Sequence, residues 1–172
     1  WSKAVFELVA AGYRVISPDL RGHGESQWCP HGRYTLDDYI ADLGFIMGTL
    51  PSAPVLVGAS LGGVVSLIGQ GEQRLPRARA LVLVDVVPRM ETAGMQEVID
   101  FMSSNPGGFG SIEAAADAVA QYLPHRPRRS SRGGLLKNLR QRSDARYYWH
   151  WDPAVHNGAG SPDYIEAMAR RM

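Results

Sequence analysis

The sequence predicts an α/β fold, in which a partial parallel sheet with flanking helices is followed by a helical cap. Helix-like and strand-like apolar patterns alternate three times over residues 1–88. That alternation is typical of a parallel sheet with helices on its faces. After Pro88 the strand patterns stop, and amphipathic patterns mix with Gly, Pro and Arg. We therefore expect two regions, a partial core at residues 1–88 and a helical cap at residues 89–172.

The chain opens with a predicted helix and a predicted strand. Residues 2–11 carry apolar side chains at helical spacing, and Gly12 follows where a helix C-cap is expected. Residues 13–16 are rich in β-branched and alternating side chains, and Pro18 would end a hydrogen-bonded ladder. This pattern predicts a short buried strand with a glycine-rich exit loop.

Two further helices and two apolar strands complete the predicted core. Thr35 with Asp38 three residues later predicts the N-cap of the second helix. The continuous apolar runs 55–60 and 80–87 predict fully buried strands, and a third helix opens directly after residue 60.

The predicted cap is mostly helical. Helical spacing of apolar residues indicates one helix over residues 95–102, a second over 112–123 and a short third over 135–139. No internal repeat is visible in the sequence.

Composition excludes several classes of protein. The chain has 172 residues, is 45% hydrophobic and carries a formal net charge of +1, which argues against a protein built wholly around nucleic acid. Its single cysteine, Cys29, excludes an intramolecular disulfide and a zinc-ribbon site and favours a reducing compartment, the cytoplasm. No apolar run reaches the roughly 18 residues that span a bilayer. We expect no metal, no cofactor and no membrane partner.

The stretch VLVGASLGGVVSL, residues 55–67, places Ser60 in a G-x-S-x-G pattern between an apolar strand and a helix. This context predicts a sharp turn that exposes the serine hydroxyl. The small residues Gly58 and Gly62 would prevent a steric clash between strand and helix. The Leu61 N–H would lie at the helix N-terminus, where it can stabilise an oxyanion. The alternative is a hydroxyl in a small-residue turn; a phosphate-binding loop does not fit the spacing.

Three segments resemble, in the right order, landmarks of the α/β-hydrolase superfamily. SPDLRGHGES resembles the loop after its strand 4, VGASLGG its nucleophile elbow and ALVLVDVVPR its strand 6. Within the superfamily, the sequence most resembles small bacterial esterases and cofactor-free haloperoxidase-like members. The resemblance implies Ser60 as the nucleophile and Leu61 as one oxyanion donor. Serine at the elbow is unlike the epoxide hydrolase and haloalkane dehalogenase branches, which use aspartate.

Other parts of the family's machinery are not found in this sequence. The loop with the second oxyanion donor would precede Trp1, and the strands that carry the acid and histidine would follow the cap, so we expect an internal fragment. Asp85 follows a strand, as the acid does in some members, or it is a polar residue closing that strand. His156 follows Ser60 and Asp85 in the family order, whereas His23 fits a loop-structuring role.

Two features of the second region admit two interpretations each. Residues 122–146 contain seven arginines and one lysine against Asp144, which suits an anionic substrate group or a solvated cap surface. Tyr148, Trp149 and Trp151 would line an acyl pocket or attach the cap to the core.

One ion pair is expected in the core, because Asp19 and Arg21 are near neighbours in the loop after the first strand. Their pairing would fix that loop.

The sequence thus predicts a serine hydrolase that acts on a small-molecule ester or related acyl substrate through an acyl-enzyme on Ser60. One alternative is a haloperoxidase or perhydrolase, in which peroxide attacks the same intermediate. Another is a non-catalytic fragment or binding protein. The oligomeric state is not predicted. We expect the 172 residues alone to be feebly active and marginally stable, because the sheet would have uncovered edges and faces.

Overall fold

A computed structural model of the chain describes residues 1–86, 92–125, 132–157, 167–168 and 170–171. No helix in those ranges is both long and apolar enough to cross a membrane. The elements are, in chain order, α1 (Ser2–Ala10), α2 (Leu36–Gly48), β1 (Val55–Ala59), α3 (Leu61–Gly71), β2 (Ala80–Val84), α4 (Thr92–Ser103), α5 (Ile112–Tyr122), α6 (Arg132–Leu136), β3 (Leu139–Gln141), β4 (Tyr147–Trp149) and a 3₁₀ helix (Pro153–His156).

A parallel pair of strands forms the centre of the first region and confirms the predicted α/β class. β1 pairs with β2 from Val55↔Ala80 to Ala59↔Val84, and α3 connects the two strands. The apolar runs thus form strands close to the predicted bounds. Residue 87, the predicted end of the second run, lies outside the described residues.

The prediction that both strands are fully buried is wrong. Leu56 in β1 is buried, whereas the next side chain along the strand, Val57, is 46% exposed. In β2, Val82 and Val84 are also exposed. Successive side chains point to opposite faces of a sheet, so one face of the pair packs in the core while the other remains uncovered by the described residues.

The predicted buried strand at residues 13–16 is also wrong. These residues form no strand, and the side chains of Tyr13 and Ile16 are exposed. A strand requires a neighbouring strand to accept and donate its backbone hydrogen bonds. In the described part of the chain no segment supplies that ladder for residues 13–16.

The first two helices begin and end where the sequence predicts. α1 is followed by Gly12 with φ of 87°, the left-handed conformation expected after a helix. α2 has the predicted capping box: the Asp38 N–H donates to the Thr35 hydroxyl, and the Thr35 N–H donates to the Asp38 carboxylate, each at 3.2 Å. The buried face of α2 packs with α3 in the main core.

The described part of the second region is mostly helical, as predicted, but it also contains two short strands that the sequence did not predict. β3 and β4 form an antiparallel hairpin, and the short helix predicted at 135–139 is instead Arg132–Leu136. Three-residue strands carry too little alternation to be distinguished from other structure by periodicity. Phe109, Ala115 and Leu139 form a separate small core here. The predicted boundary at residues 88–89 lies outside the described residues.

Candidate active site

Ser60 lies at the turn between β1 and α3. Its side chain is exposed, and its backbone has φ of 46° and ψ of −123°. Positive φ is uncommon outside glycine and stores local strain, a feature found at functional sites. The Ser60 N–H donates to the Val84 carbonyl at 3.3 Å, which ties the turn to the end of β2. The structure thus exposes this serine at the carboxyl edge of the sheet.

Glycine is required on both sides of the turn, at Gly58 as predicted but at Gly63 instead of Gly62. A Cβ on Gly58 would lie 2.5 Å from the Gly62 carbonyl oxygen. A Cβ on Gly63 would lie 3.0 Å from the Gly58 oxygen and 3.2 Å from Val86. A Cβ on Gly62 would contact nothing within 4 Å. The close approach of strand and helix therefore depends on Gly58 and Gly63, and the prediction for Gly62 is wrong.

The N-terminus of α3 supplies backbone donors next to the serine. The Ser60 carbonyl accepts hydrogen bonds from Gly63 N at 2.9 Å and Val64 N at 3.0 Å. Within the described residues no backbone carbonyl accepts from Leu61 N. The first N–H groups of a helix carry the positive end of its dipole, so an oxyanion beside Ser60 would be stabilised there. The oxyanion role of Leu61 stays a prediction.

The strand register places Asp85 beside Ser60. Ala59 is paired with Val84, and each of the two candidate residues follows its strand directly. Asp85 is exposed and has φ of 56°, so it also occupies the left-handed region. Neighbouring strands lie about 5 Å apart, which brings a nucleophile and a carboxylate to one edge of the sheet. The structure places both residues at this edge of the sheet, each directly after a paired strand; their chemical roles remain predictions.

No hydrogen bond joins the Ser60 side chain to an imidazole in the described part of the chain. His156 lies at the end of the 3₁₀ helix, where its ring packs edge-on against Trp151 with centroids 5.9 Å apart. The His23 ring lies in its own loop, with Nδ1 3.0 Å from the Arg21 carbonyl oxygen.

The expected pair of Asp19 and Arg21 is wrong. Arg21 donates two hydrogen bonds of 2.6 Å to Asp42 on α2. Asp19 instead accepts from the Glu25 N–H at 3.0 Å and so closes its own loop. The bidentate arginine pair attaches this loop to α2 and raises the pKa of Arg21.

The predicted pocket aromatics form contacts within the second region. Trp149 and Trp151 are stacked with centroids 5.1 Å apart, and the Trp149 ring also meets Phe109 edge-on. The Tyr148 hydroxyl donates to the Asp144 carboxylate at 2.7 Å. These contacts give the rings a structural role, and their use as a pocket for an acyl group stays a prediction.

Three arginines of the basic stretch, which lie in and beside the hairpin, are used in contacts within the chain. Arg140 binds Glu25, Arg142 lies over the Tyr148 ring at 4.0 Å, and Arg146 donates to the Gly107 and Gly108 carbonyls. These contacts give them a structural role in the hairpin, while binding of an anionic substrate stays untested. Arg126, Arg128 and Arg129 lie outside the described residues.

Sequence reasoning missed a buried contact between the two regions. The Tyr34 hydroxyl donates to the Asp152 carboxylate at 2.5 Å and accepts from the Cys29 N–H at 2.7 Å. Burial and the contact with Asp152 raise the pKa of Tyr34 to about 12. Asp152 precedes Pro153 and is the N-cap of the 3₁₀ helix, accepting from Ala154 N at 3.0 Å. The Asp-Pro dipeptide was the available signal, since it is typical of a helix start.

Fold and site together define an α/β protein with a serine at a strand–turn–helix elbow and a carboxylate directly after the adjacent strand. The chain belongs to the Alpha/beta hydrolase family, whose sequence profile matches residues 1–171.

Characterised relatives are named as esterases and hydrolases. Esterase Rv0045c from Mycobacterium tuberculosis is 29% identical over 170 residues, which cover 94% of this chain and 57% of the relative. Protein phosphatase methylesterase 1 from Schizosaccharomyces pombe is 30% identical over 145 residues, which cover 80% of this chain and 42% of that relative. The chain spans about half the length of these relatives.

Solved structures with similar sequences have the same fold. A structure of the M. tuberculosis esterase Rv0045c superposes with a TM-score of 0.62 at 28% identity, covering 87% of this chain and 53% of that one. The thioesterase domain from the curacin biosynthetic pathway superposes with a TM-score of 0.65 at 28% identity. The match covers 99% of this chain and 64% of the thioesterase chain.

Proposed function

We propose that the protein containing this chain hydrolyses an ester or a related acyl compound of small size, with Ser60 as its nucleophile. The exposed, positive-φ serine at the β1–α3 turn is the observation that carries the proposal. It is supported by family membership and by relatives named as esterases. In keeping with the lone cysteine, we place the protein in the cytoplasm.

The proposed chemistry is acyl transfer in two steps. Ser60 Oγ attacks the substrate carbonyl while a base accepts its proton, and the tetrahedral intermediate expels the alcohol to leave an acyl-enzyme. Water then attacks the acyl carbonyl and releases the acid. In this proposal the Leu61 N–H donates to the oxyanion in both steps, and loss of one such donor costs about 3 kcal/mol in comparable sites.

Asp85 is the acid in this proposal; the support is that Ser60 and Asp85 directly follow the paired strands β1 and β2. Its carboxylate would accept a hydrogen bond from an imidazole N–H and orient that ring toward Ser60. In the described part of the chain no hydrogen bond joins a histidine to the Ser60 side chain. We therefore propose that the base comes from a part of the protein beyond these 172 residues, which agrees with the greater length of the relatives.

Labelling with a fluorophosphonate probe, followed by intact mass, tests this proposal. The 172-residue chain and the full-length protein are compared, each with Ser60→Ala and with Ser52→Ala, an exposed serine outside the site, as the control. We expect one label on the full-length protein, none on the short chain, and loss of the label only in Ser60→Ala. In the full-length enzyme Ser60→Ala should lower kcat for ester hydrolysis by about 10⁴-fold or more.

The other outcomes separate the alternatives. A labelled short chain would mean that one of its own histidines is the base. No label on either protein would favour a non-catalytic binding role. Formation of a peracid when peroxide is added would identify a perhydrolase, since peroxide attacks the same acyl-enzyme as water.

A further inference from the structure

The loop of residues 21–26 and the segment of residues 150–156 are joined backbone to backbone. The Gly24 N–H donates to the His150 carbonyl at 2.8 Å, and the Asp152 N–H donates to the Gly22 carbonyl at 2.7 Å. Between these two bonds, His23 and Trp151 form an isolated antiparallel bridge. This short junction attaches the second region to the first.

Two imidazole rings lie at this junction. The His23 ring packs against Tyr39 with centroids 6.5 Å apart, and the His156 ring packs edge-on against Trp151. In the described structure His156 Nε2 is buried and has no hydrogen-bond partner. A buried nitrogen without a partner tolerates the neutral ring far better than the charged one.

We propose that His23 and His156 form an acid-sensitive latch, in which the neutral rings allow the junction to close and protonation opens it. Each ring that takes up a proton in the closed state would be a buried cation, and two such cations would repel each other across the junction.

The surroundings of the two rings favour their neutral form in the closed state. Burial lowers the pKa of both rings, and the charge of His23 lowers the pKa of His156 further. Asp19 and the Arg21 carbonyl act in the opposite direction on His23, but burial outweighs them. Arg21 itself pairs with Asp42 and Asp38 and so faces α2.

Three other charged groups pack around the junction. Glu25 lies 3.5 Å from His150 Nε2 and also binds Arg140. The Asp152 carboxylate is engaged by the Tyr34 hydroxyl and the Ala154 N–H. Acid is therefore expected to open the junction through His23 and His156.

The sign of the pH effect follows from proton linkage. The pKa of each ring is lower in the closed state than its ordinary value of 6.5, so the open state binds more protons in the region below that value. The closed state is fully favoured above about pH 6.5 and weakens as pH falls. Each ring contributes up to about a tenfold change in the opening equilibrium per pH unit, and the two together about a hundredfold.

Amide hydrogen exchange measured residue by residue by NMR, corrected for intrinsic exchange rates, tests the latch. Between about pH 7 and about pH 5.5 the protection of the Gly24 and Asp152 amides should fall at least about tenfold. The amides of Val64 in α3 and Tyr147 in the hairpin, both hydrogen-bonded away from the junction, should stay protected. Simultaneous loss of protection at all four amides would indicate global unfolding and would overturn the proposal.

Substitutions assign the effect to the two rings. His23→Gln and His156→Gln should each reduce the pH dependence, and the double variant should abolish it, while His31→Gln, an exposed histidine, should leave it unchanged. Direct titration of the imidazole resonances in the unsubstituted chain decides the question if a variant fails to fold. Titration of both rings at or above about pH 6.5 would contradict the proposal.

Discussion

At the residue scale, the three glycines around Ser60 have different physical roles. Gly58 on β1 and Gly63 on α3 allow strand and helix to approach, whereas space is open at Gly62. The sequence motif alone assigns importance to Gly62, because it counts positions from the serine. In the structure Gly63 is the important position, because its Cα, and not that of Gly62, faces the strand.

This difference predicts opposite effects for two alanine substitutions. Gly58→Ala would force a methyl group against the Gly62 backbone and should lower the free energy of unfolding by about 2 kcal/mol or more. Gly62→Ala should leave it unchanged or raise it by up to about 1 kcal/mol, because alanine favours helix. Urea denaturation measures both. Equal destabilisation by the two substitutions would contradict the geometry described for the elbow.

Asp85 gives a second residue-scale prediction, made for the full-length enzyme. Asp85→Asn keeps the shape of the side chain but cannot stabilise a charged imidazole, so kcat for ester hydrolysis should fall by about 10³- to 10⁴-fold. KM should change little. Asp100→Asn, an exposed carboxylate on α4, is the control and should retain full activity. Retained activity in Asp85→Asn would mean that the acid lies elsewhere.

At the element scale, features that depend on local contacts were the ones the sequence predicted. The capping box of α2 joins residues three positions apart, and the β1–Ser60–α3 turn is a continuous motif. The strand expected at residues 13–16 failed because a strand depends on a partner that local pattern does not reveal. The sequence did not predict the β3–β4 hairpin, because its strands have only three residues each and show too little alternation.

In the candidate site, too, the sequence predicted what depends on a local motif and not what depends on distant contacts. Ser60 and Leu61 follow from one short motif, whereas the position of Asp85 beside Ser60 depends on the register of β1 with β2. Tyr34 and Asp152 are separated by 118 positions, and nothing in the sequence pairs them. Contacts of this kind are set by the packing of whole elements, so single-sequence patterns cannot supply them.

Tyr34 and Asp152 hold the 3₁₀ helix against the first region, which leads to an element-scale prediction. Tyr34→Phe would leave the buried Asp152 carboxylate and the Cys29 N–H each with one partner fewer, at a cost of about 2 to 3 kcal/mol. Tyr148→Phe is the matched control, because its hydroxyl also donates to a carboxylate, but an exposed one, and should cost under about 1 kcal/mol. Equal costs in urea denaturation would show that burial of the Tyr34 contact is energetically unimportant.

At the scale of the whole molecule, burial is uneven. The main core lies on one side of the β1–β2 pair, around α2 and α3. On the other side, Val55, Val57, Val82 and Val84 are between 40% and 50% exposed. In α1 no residue is buried, and the Phe6 side chain is 71% exposed. Apolar surface of this extent favours self-association and contributes nothing to folding stability.

This arrangement predicts that lysine is tolerated on the exposed sheet face of the 172-residue chain. Val57→Lys and Val82→Lys should change the free energy of unfolding by less than about 1 kcal/mol, since both side chains already contact water. They should also reduce binding of an apolar fluorescent dye and self-association in sedimentation velocity. Val65→Lys in α3, where the side chain is 1% exposed, is the control and should abolish cooperative folding. If the two strand variants unfold the chain as Val65→Lys does, the exposed face must be covered in solution.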